Sequence, residues 1–201
     1  MLTRRTLLAC TTMAGLLFAS GARAQGAVAP AQATNFIVGL GNQLAAIVNG
    51  AGSPDDKKRR LQPLIENAAD IDSIARFCLG RAAREATPAQ LAEYTRLFHQ
   101  VIINNIFGKI GELQGVTFQP TTTVSRDADV LVGTTIQRPN QGPNAVQWVV
   151  NGVGGQPKIV DIVAEGTSLR LTQRADYASY LSRNNNSLDA LIGAVRQQVS
   201  R

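Results

Sequence analysis

One histidine and two cysteines in 201 residues leave little with which to build a reactive centre. His99 sits in the run Phe98-His99-Gln100, with no second histidine or cysteine at ligand spacing, which argues against a zinc site. Ser168 follows Glu165-Gly166-Thr167 and lacks the glycine pattern of a nucleophile elbow. Gly152-Val153-Gly154-Gly155 lies between two strand-like runs and opens no helix, so it reads as a turn rather than a dinucleotide loop. Cys78 lies in the apolar run Ile74-Ala75-Arg76-Phe77-Cys78-Leu79, where a small buried hydrophobe is the ordinary role for a thiol. The inventory thus holds no metal site, no cofactor loop and no evident nucleophile.

Long hydrophobic runs are also missing, apart from residues 7–19. That run is too short to span a bilayer. Preceded by Arg4 and Arg5 and followed by Ala22-Arg23-Ala24, it has the three parts of an export signal, with cleavage before Gln25. Thr3-Arg4-Arg5-Thr6-Leu7-Leu8 resembles a twin-arginine motif, although Ala9 stands where lysine is usual, and an ordinary signal with two arginines is equally compatible. Removing residues 1–24 takes away three arginines and no acids, lowering the formal net charge from +6 to +3. It also removes Cys10, so the remaining chain has no internal disulfide. A balance this close to neutral argues against a nucleic-acid partner. Residues 25–201 suffice for a single domain with a sizeable core.

What is present is periodicity. Phe36, Ile37, Leu40, Leu44, Ile47 and Val48 follow the helical period after Thr34, read as a cap, and Asn49-Gly50 ends the run. Ser53-Pro54 opens a second helix, with Leu61, Leu64, Ile65 and Ala68 on one side. Within it Lys57-Lys58-Arg59-Arg60 reads as a solvated face supported by Asp55 and Asp56. A short third helix covers residues 72–79 and stops at Gly80. Thr87-Pro88-Ala89-Gln90 carries the signature of a capping box, and the helix that follows should be the longest, running to about Gly111. Leu91, Tyr94, Leu97, Phe98, Val101, Ile102, Ile106 and Ile110 give it a wide apolar face.

From Val116 the period shortens to two. Strand-like runs at residues 116–118, 130–137, 146–150 and 159–164 are separated by turn residues, which predicts a meander of about four antiparallel strands. The last run is expected to continue past Glu165-Gly166 through Leu169 and Leu171 before becoming a helix carrying Tyr177, Tyr180 and Leu181. Ser187 caps a final helix with Leu188, Leu191, Ile192, Val195 and Val199 on one face. The fold class is therefore α+β: a curved antiparallel sheet with helices packed on one face, helices at both ends of the chain, and an apolar cavity between the layers.

Asp161 is the one carboxylate with catalytic potential, because it interrupts an apolar strand and could serve as a buried base. The competing reading, which the alternation of Val160, Ile162 and Ala164 favours, makes it a hydrogen-bonded structural group on the opposite face.

Two separated motifs then carry a resemblance. Ile74-Ala75-Arg76-Phe77-Cys78-Leu79-Gly80-Arg81 with Arg84-Glu85-Ala86-Thr87-Pro88-Ala89-Gln90 and Phe98 is the first. Val160-Asp161-Ile162-Val163-Ala164-Glu165-Gly166-Thr167-Ser168-Leu169, followed by Tyr177, Leu181 and Leu188-Asp189-Ala190-Leu191-Ile192, is the second. Together they resemble the toluene-tolerance/Mla-type family of periplasmic phospholipid carriers over essentially the whole chain after the leader. Ala82 and Ala83 replace aromatics usual in that family, as Ile106-Phe107 replace a tyrosine late in the long helix. The resemblance implies a non-enzymatic periplasmic lipid shuttle. It would exchange lipid with an inner-membrane ABC transporter complex, through that complex's lipid-binding subunit, and with an outer-membrane lipoprotein complex. A relative associated with hopanoid transport is the alternative. On this reading, face assignment nominates Phe77, Leu97, Val101, Ile106, Val132, Trp148, Val150, Ile162, Ala164, Leu169, Tyr177 and Leu181 as residues lining the acyl chains.

Overall fold

The structure is a computed structural model, and it describes residues 28–139 and 141–200. The expected export signal, residues 1–24, lies outside the described residues. Five helices come first: α1 (Pro30–Asn49), α2 (Pro54–Ala68), α3 (Ile71–Leu79), the short α4 (Ala82–Glu85) and α5 (Pro88–Gly108). A 3-10 turn at Ile110–Leu113 leads into β1 (Thr117–Arg126), β2 (Asp129–Gln137), β3 (Asn144–Val153), β4 (Gln156–Ala164) and the two-residue β5 (Thr167–Ser168). The chain closes with α6 (Leu169–Arg183) and α7 (Leu188–Val199). The strands form one sheet in sequence order, each antiparallel to the next.

Local chemistry fixes most helix starts. Ser53 and Thr87 each accept a bond from the N3 backbone amide, and the N3 side chains Asp56 and Gln90 in turn accept from the cap amides, so both ends are full capping boxes. Ser187 caps α7 and Asp70 caps α3 through their side chains. The helix α1 starts earlier than expected. Pro30 occupies its first turn, and Thr34 is already inside, its hydroxyl bonded to the Pro30 carbonyl at 3.0 Å rather than capping. At 21 residues α5 is the longest helix, against 20 for α1, and it gives way at Lys109 to the 3-10 turn.

The sheet departs from the expected strands in three places. Pro120 lies inside β1, which tolerates it because β1 is an edge strand. A bulge between Val149 and Val150 places Val160 and Asp161 against one residue of β3, so Ile159 and Ile162, not Val160 and Ile162, share the inner face. Finally, Glu165 and Gly166 both take positive φ, 52° and 77°, which turns the chain back as the tight two-residue hairpin between β4 and β5. Ser168 then caps α6 at once, so Leu169 and Leu171 belong to the first helical turn and not to a strand.

Most buried apolar side chains fall into two clusters. A helical one is built from α2, α3, α5, α6 and α7 around Leu61, Ala75, Tyr94, Leu97, Phe98, Tyr177 and Leu191. The other joins α1 to the inner face of the sheet through Ala33, Ile37, Val130, Val132, Val150 and Ile159. Helix α1 spans both, sending Phe36 and Leu40 to the sheet cluster and Leu44, Ile47 and Val48 to the helical one.

Candidate functional site

The inner face of the sheet is mostly apolar, with Thr123 and Thr134 among its polar members, and it is not evenly covered. Strand pairing sets Val130 beside Val150, and Val150 beside Ile159, in a row that is fully buried under α1. The next row, Val132–Trp148–Ile162, is buried at Val132 and half-buried beyond it. After it come Thr134–Val146–Ala164 and then Phe118–Ile136, in which Val146, Ala164, Phe118 and Ile136 are all half-buried. One end of the face is thus packed, and the other, the open end, is only half-covered. Helix α1 is held down close to this face. The Thr34 and Thr123 hydroxyls bond at 2.8 Å, and a Cβ on Gly41 would come within 3.0 Å of the Phe118 ring, so only glycine fits there without displacing that ring.

The residues nominated for an acyl-chain lining do not form one surface. Leu97, Val101, Tyr177 and Leu181 are buried in the helical cluster, with Ile106 half-buried against it. Val132 and Val150 are buried in the sheet cluster, with Trp148 and Ile162 packed against its open side. Ala164 is half-buried at the end of β4, and Leu169 is 50% exposed in the first turn of α6. Phe77 lies outside both sets, its ring under the Arg170 and Arg174 guanidiniums at 4.6 and 5.0 Å. The seam between the two clusters, crossed by α1, is where the set divides.

Asp161 is fully engaged where it stands. Its carboxylate accepts from the amides of Ile162 and Arg170 at 2.8 and 3.1 Å and from the Ser168 hydroxyl at 2.5 Å. The Arg170 Nε lies 3.4 Å away, an ion contact and not a well-aligned hydrogen bond. These bonds lock β4 to the start of α6. A carboxylate that accepts three hydrogen bonds beside a guanidinium is held as a structural brace between β4 and α6.

Other reactive groups are similarly committed. Burial pushes the Cys78 thiol up to about 12, and its Sγ faces the Arg170 carbonyl at 3.6 Å, so it stays a neutral, inert hydrophobe. Desolvation also raises the phenols of Tyr94 and Tyr177, whose rings meet edge to face at 6.0 Å. His99 pairs with Asp72 at 2.8 Å on the outer side of α5. No group of three or more metal-ligating side chains occurs among the described residues, and no described helix is long and apolar enough to cross a membrane.

Two cavities open away from the sheet. One of about 460 Å³ lies between α6 and α7, floored by Tyr177, Tyr180 and Leu191 and rimmed by Asp176, Arg183 and Gln198. A smaller one of about 200 Å³ lies between α2 and α5, beside Lys58, Glu66 and His99. Neither cavity is lined by a residue of the sheet, whose half-buried apolar surface lies at the open end of its inner face. Sequence reasoning missed Phe118, Ile136 and Val146 as part of that surface, along with Phe36 and Leu40 of α1. The period-two alternation already read in β2 and β3 was the signal that could have found Ile136 and Val146.

Comparison with known proteins bears on the same architecture. The model of the family described as MlaC protein matches residues 42–197. Toluene tolerance protein ttg2D of Pseudomonas putida is 24% identical over 150 residues, covering 73% of this chain and 67% of that protein. A phospholipid-binding protein from Ralstonia solanacearum, solved in complex with a phospholipid, superposes with a TM-score of 0.75 at 20% identity, covering 84% of this chain and 97% of the other. That likeness shows a shared fold. With the family model matched across well over half of its length, the chain belongs to the MlaC family.

Proposed function

We propose that this protein is a periplasmic carrier that sheathes the acyl chains of a phospholipid and moves it between membrane complexes. The observation that carries the reading is the half-covered inner face of the sheet, lying at the seam between two apolar clusters. A diacyl lipid has about 30 methylenes, and at ~0.8 kcal/mol each its tails resist water by roughly 20–25 kcal/mol. A seam crossed by one helix is the place where tails can enter at the least cost in existing contacts. Trp148, Ile162, Ala164 and Leu169 have surface to offer at once. Leu97, Val101, Ile106, Val132, Val150, Tyr177 and Leu181 would meet a chain as the clusters part, and Phe77 would follow α6 as it moved. The phospholipid bound by the Ralstonia solanacearum protein of the same fold supports the choice of ligand.

Donor and acceptor on this reading are an inner-membrane ABC transporter complex, through its lipid-binding subunit, and an outer-membrane lipoprotein complex. The carrier itself performs no chemistry, in keeping with the engaged state of Asp161.

Thermal unfolding tests the reading. Protein stripped of lipid and given phospholipid at about 100 times its Kd gains about 2.7 kcal/mol, which raises Tm by about 5–10 °C for a domain of this size. A rise with hopanoid and none with phospholipid would move the assignment to the hopanoid alternative. No rise with either would remove the carrier reading.

A further inference from the structure

Thr134 and Asp161 are the buried polar side chains among the described residues, and only Asp161 has been accounted for. Thr134 stands on the inner face of the sheet, in a row where Val146 and Ala164 are half-buried and Pro120 is exposed, yet it is only 2% exposed. The indole of Trp148 reaches it. That residue pairs with Val132, so Thr134 is its diagonal neighbour one row toward the open end. The Trp148 Nε1 donates to the Thr134 Oγ1 at 2.9 Å, and the Thr134 hydroxyl in turn reaches the Val146 carbonyl at 3.3 Å. The ring is therefore drawn along the strand and lies across the boundary between the packed and open halves of the face. Behind it, Val150 and Ile159 are already closed under α1.

We propose that Trp148 is the end stop for an acyl chain entering from the open end, and that Thr134 is the positioning residue that holds the indole there. The stop sets how long a chain the protein accommodates. This inference rests on the carrier reading and gives it a specificity determinant. A hydroxyl on an apolar wall has a reason to exist on this account, because valine in its place would fill the same space but leave the indole N–H unheld.

The chain has a single tryptophan, so its fluorescence reports from this one point. The experiment loads lipid-stripped protein with phosphatidylcholines brominated at different carbons and measures quenching, with native mass spectrometry confirming that each is bound. Quenching strongest for bromine near the terminal methyl, and weakest near the carbonyl, is the expected result. Thr134→Val flattens that profile, and Trp148→Ala shifts the bound chains longer by about five carbons, the freed length being one row of the sheet, about 6.7 Å. Quenching that is strongest near the carbonyl, that is uniform along the chain, or that is unchanged in Thr134→Val overturns the inference and leaves the carrier intact. Failure of every brominated lipid to bind overturns the carrier reading and this inference with it.

Discussion

Replacing Asp161 with alanine will destabilise the protein by about 3–5 kcal/mol, the range for removing one partner of a buried charged network. The carboxylate is 6% exposed and joins β4 to α6 through the Ile162 and Arg170 amides and the Ser168 hydroxyl. Alanine leaves these donors without this acceptor, and the Arg170 guanidinium beside them without its counter-charge. Ser168 is itself the cap of α6, so the loss spreads to the helix start. Asp161→Asn keeps the shape and one acceptor oxygen, and should cost about 1–2 kcal/mol. Urea unfolding followed by circular dichroism measures both. A cost below about 1 kcal/mol for the alanine variant would mean that the carboxylate is solvated and braces nothing. The asparagine variant also separates carrier from enzyme, since a carrier retains its lipid load whereas a reaction based on Asp161 would stop.

The second large effect belongs to Tyr94. Its ring is fully buried on α5, 5.7 Å from Phe98 and 6.0 Å from Tyr177, and its hydroxyl donates to the Ala75 carbonyl of α3 at 3.1 Å. One side chain thus ties together three helices. Tyr94→Ala removes the ring and leaves a void that the surrounding backbone cannot close, costing about 3–5 kcal/mol. Tyr94→Phe loses only the hydroxyl and should cost about 1 kcal/mol. Hydrogen exchange should locate the damage in the alanine variant at α6, which reaches the helical cluster through Tyr177 and Leu181. Equal costs for the two variants would contradict a packing role for the ring.

Much of this architecture is written in short-range chemistry. Thr87-Pro88-Ala89-Gln90 and Ser53-Pro54-Asp55-Asp56 specify their helix starts because cap, proline and N3 partner are all local. The change to period two at Val116 announces the sheet for the same reason, and the meander needs no long-range pairing to be inferred. Errors arise where two local solutions compete. Leu169 and Leu171 fit a strand as well as a helix, and the outcome is decided by the left-handed turn at Glu165-Gly166, which reverses the chain and brings Ser168 to Asp161. Val160 looked inward by alternation, but a bulge advances the count by one, and nothing in the composition of Val149-Val150 marks it.

The candidate site was legible only in part. An apolar stripe reads the same whether it meets another stripe or a ligand, so Leu97 and Val132 could be nominated together although they belong to different clusters. The open end of the inner face depends on how far α1 covers the sheet. That is fixed by the close approach of Gly41 to Phe118, 77 residues apart in the chain, and no local pattern reports it.

Native mass spectrometry of the protein purified from a Gram-negative periplasm, followed by release and identification of any bound molecule, tests the central claim most directly. The account predicts a population carrying a noncovalent phospholipid, released only when the fold is opened. A preparation that is uniformly free of apolar ligand, and that acquires none from phospholipid vesicles, would contradict it.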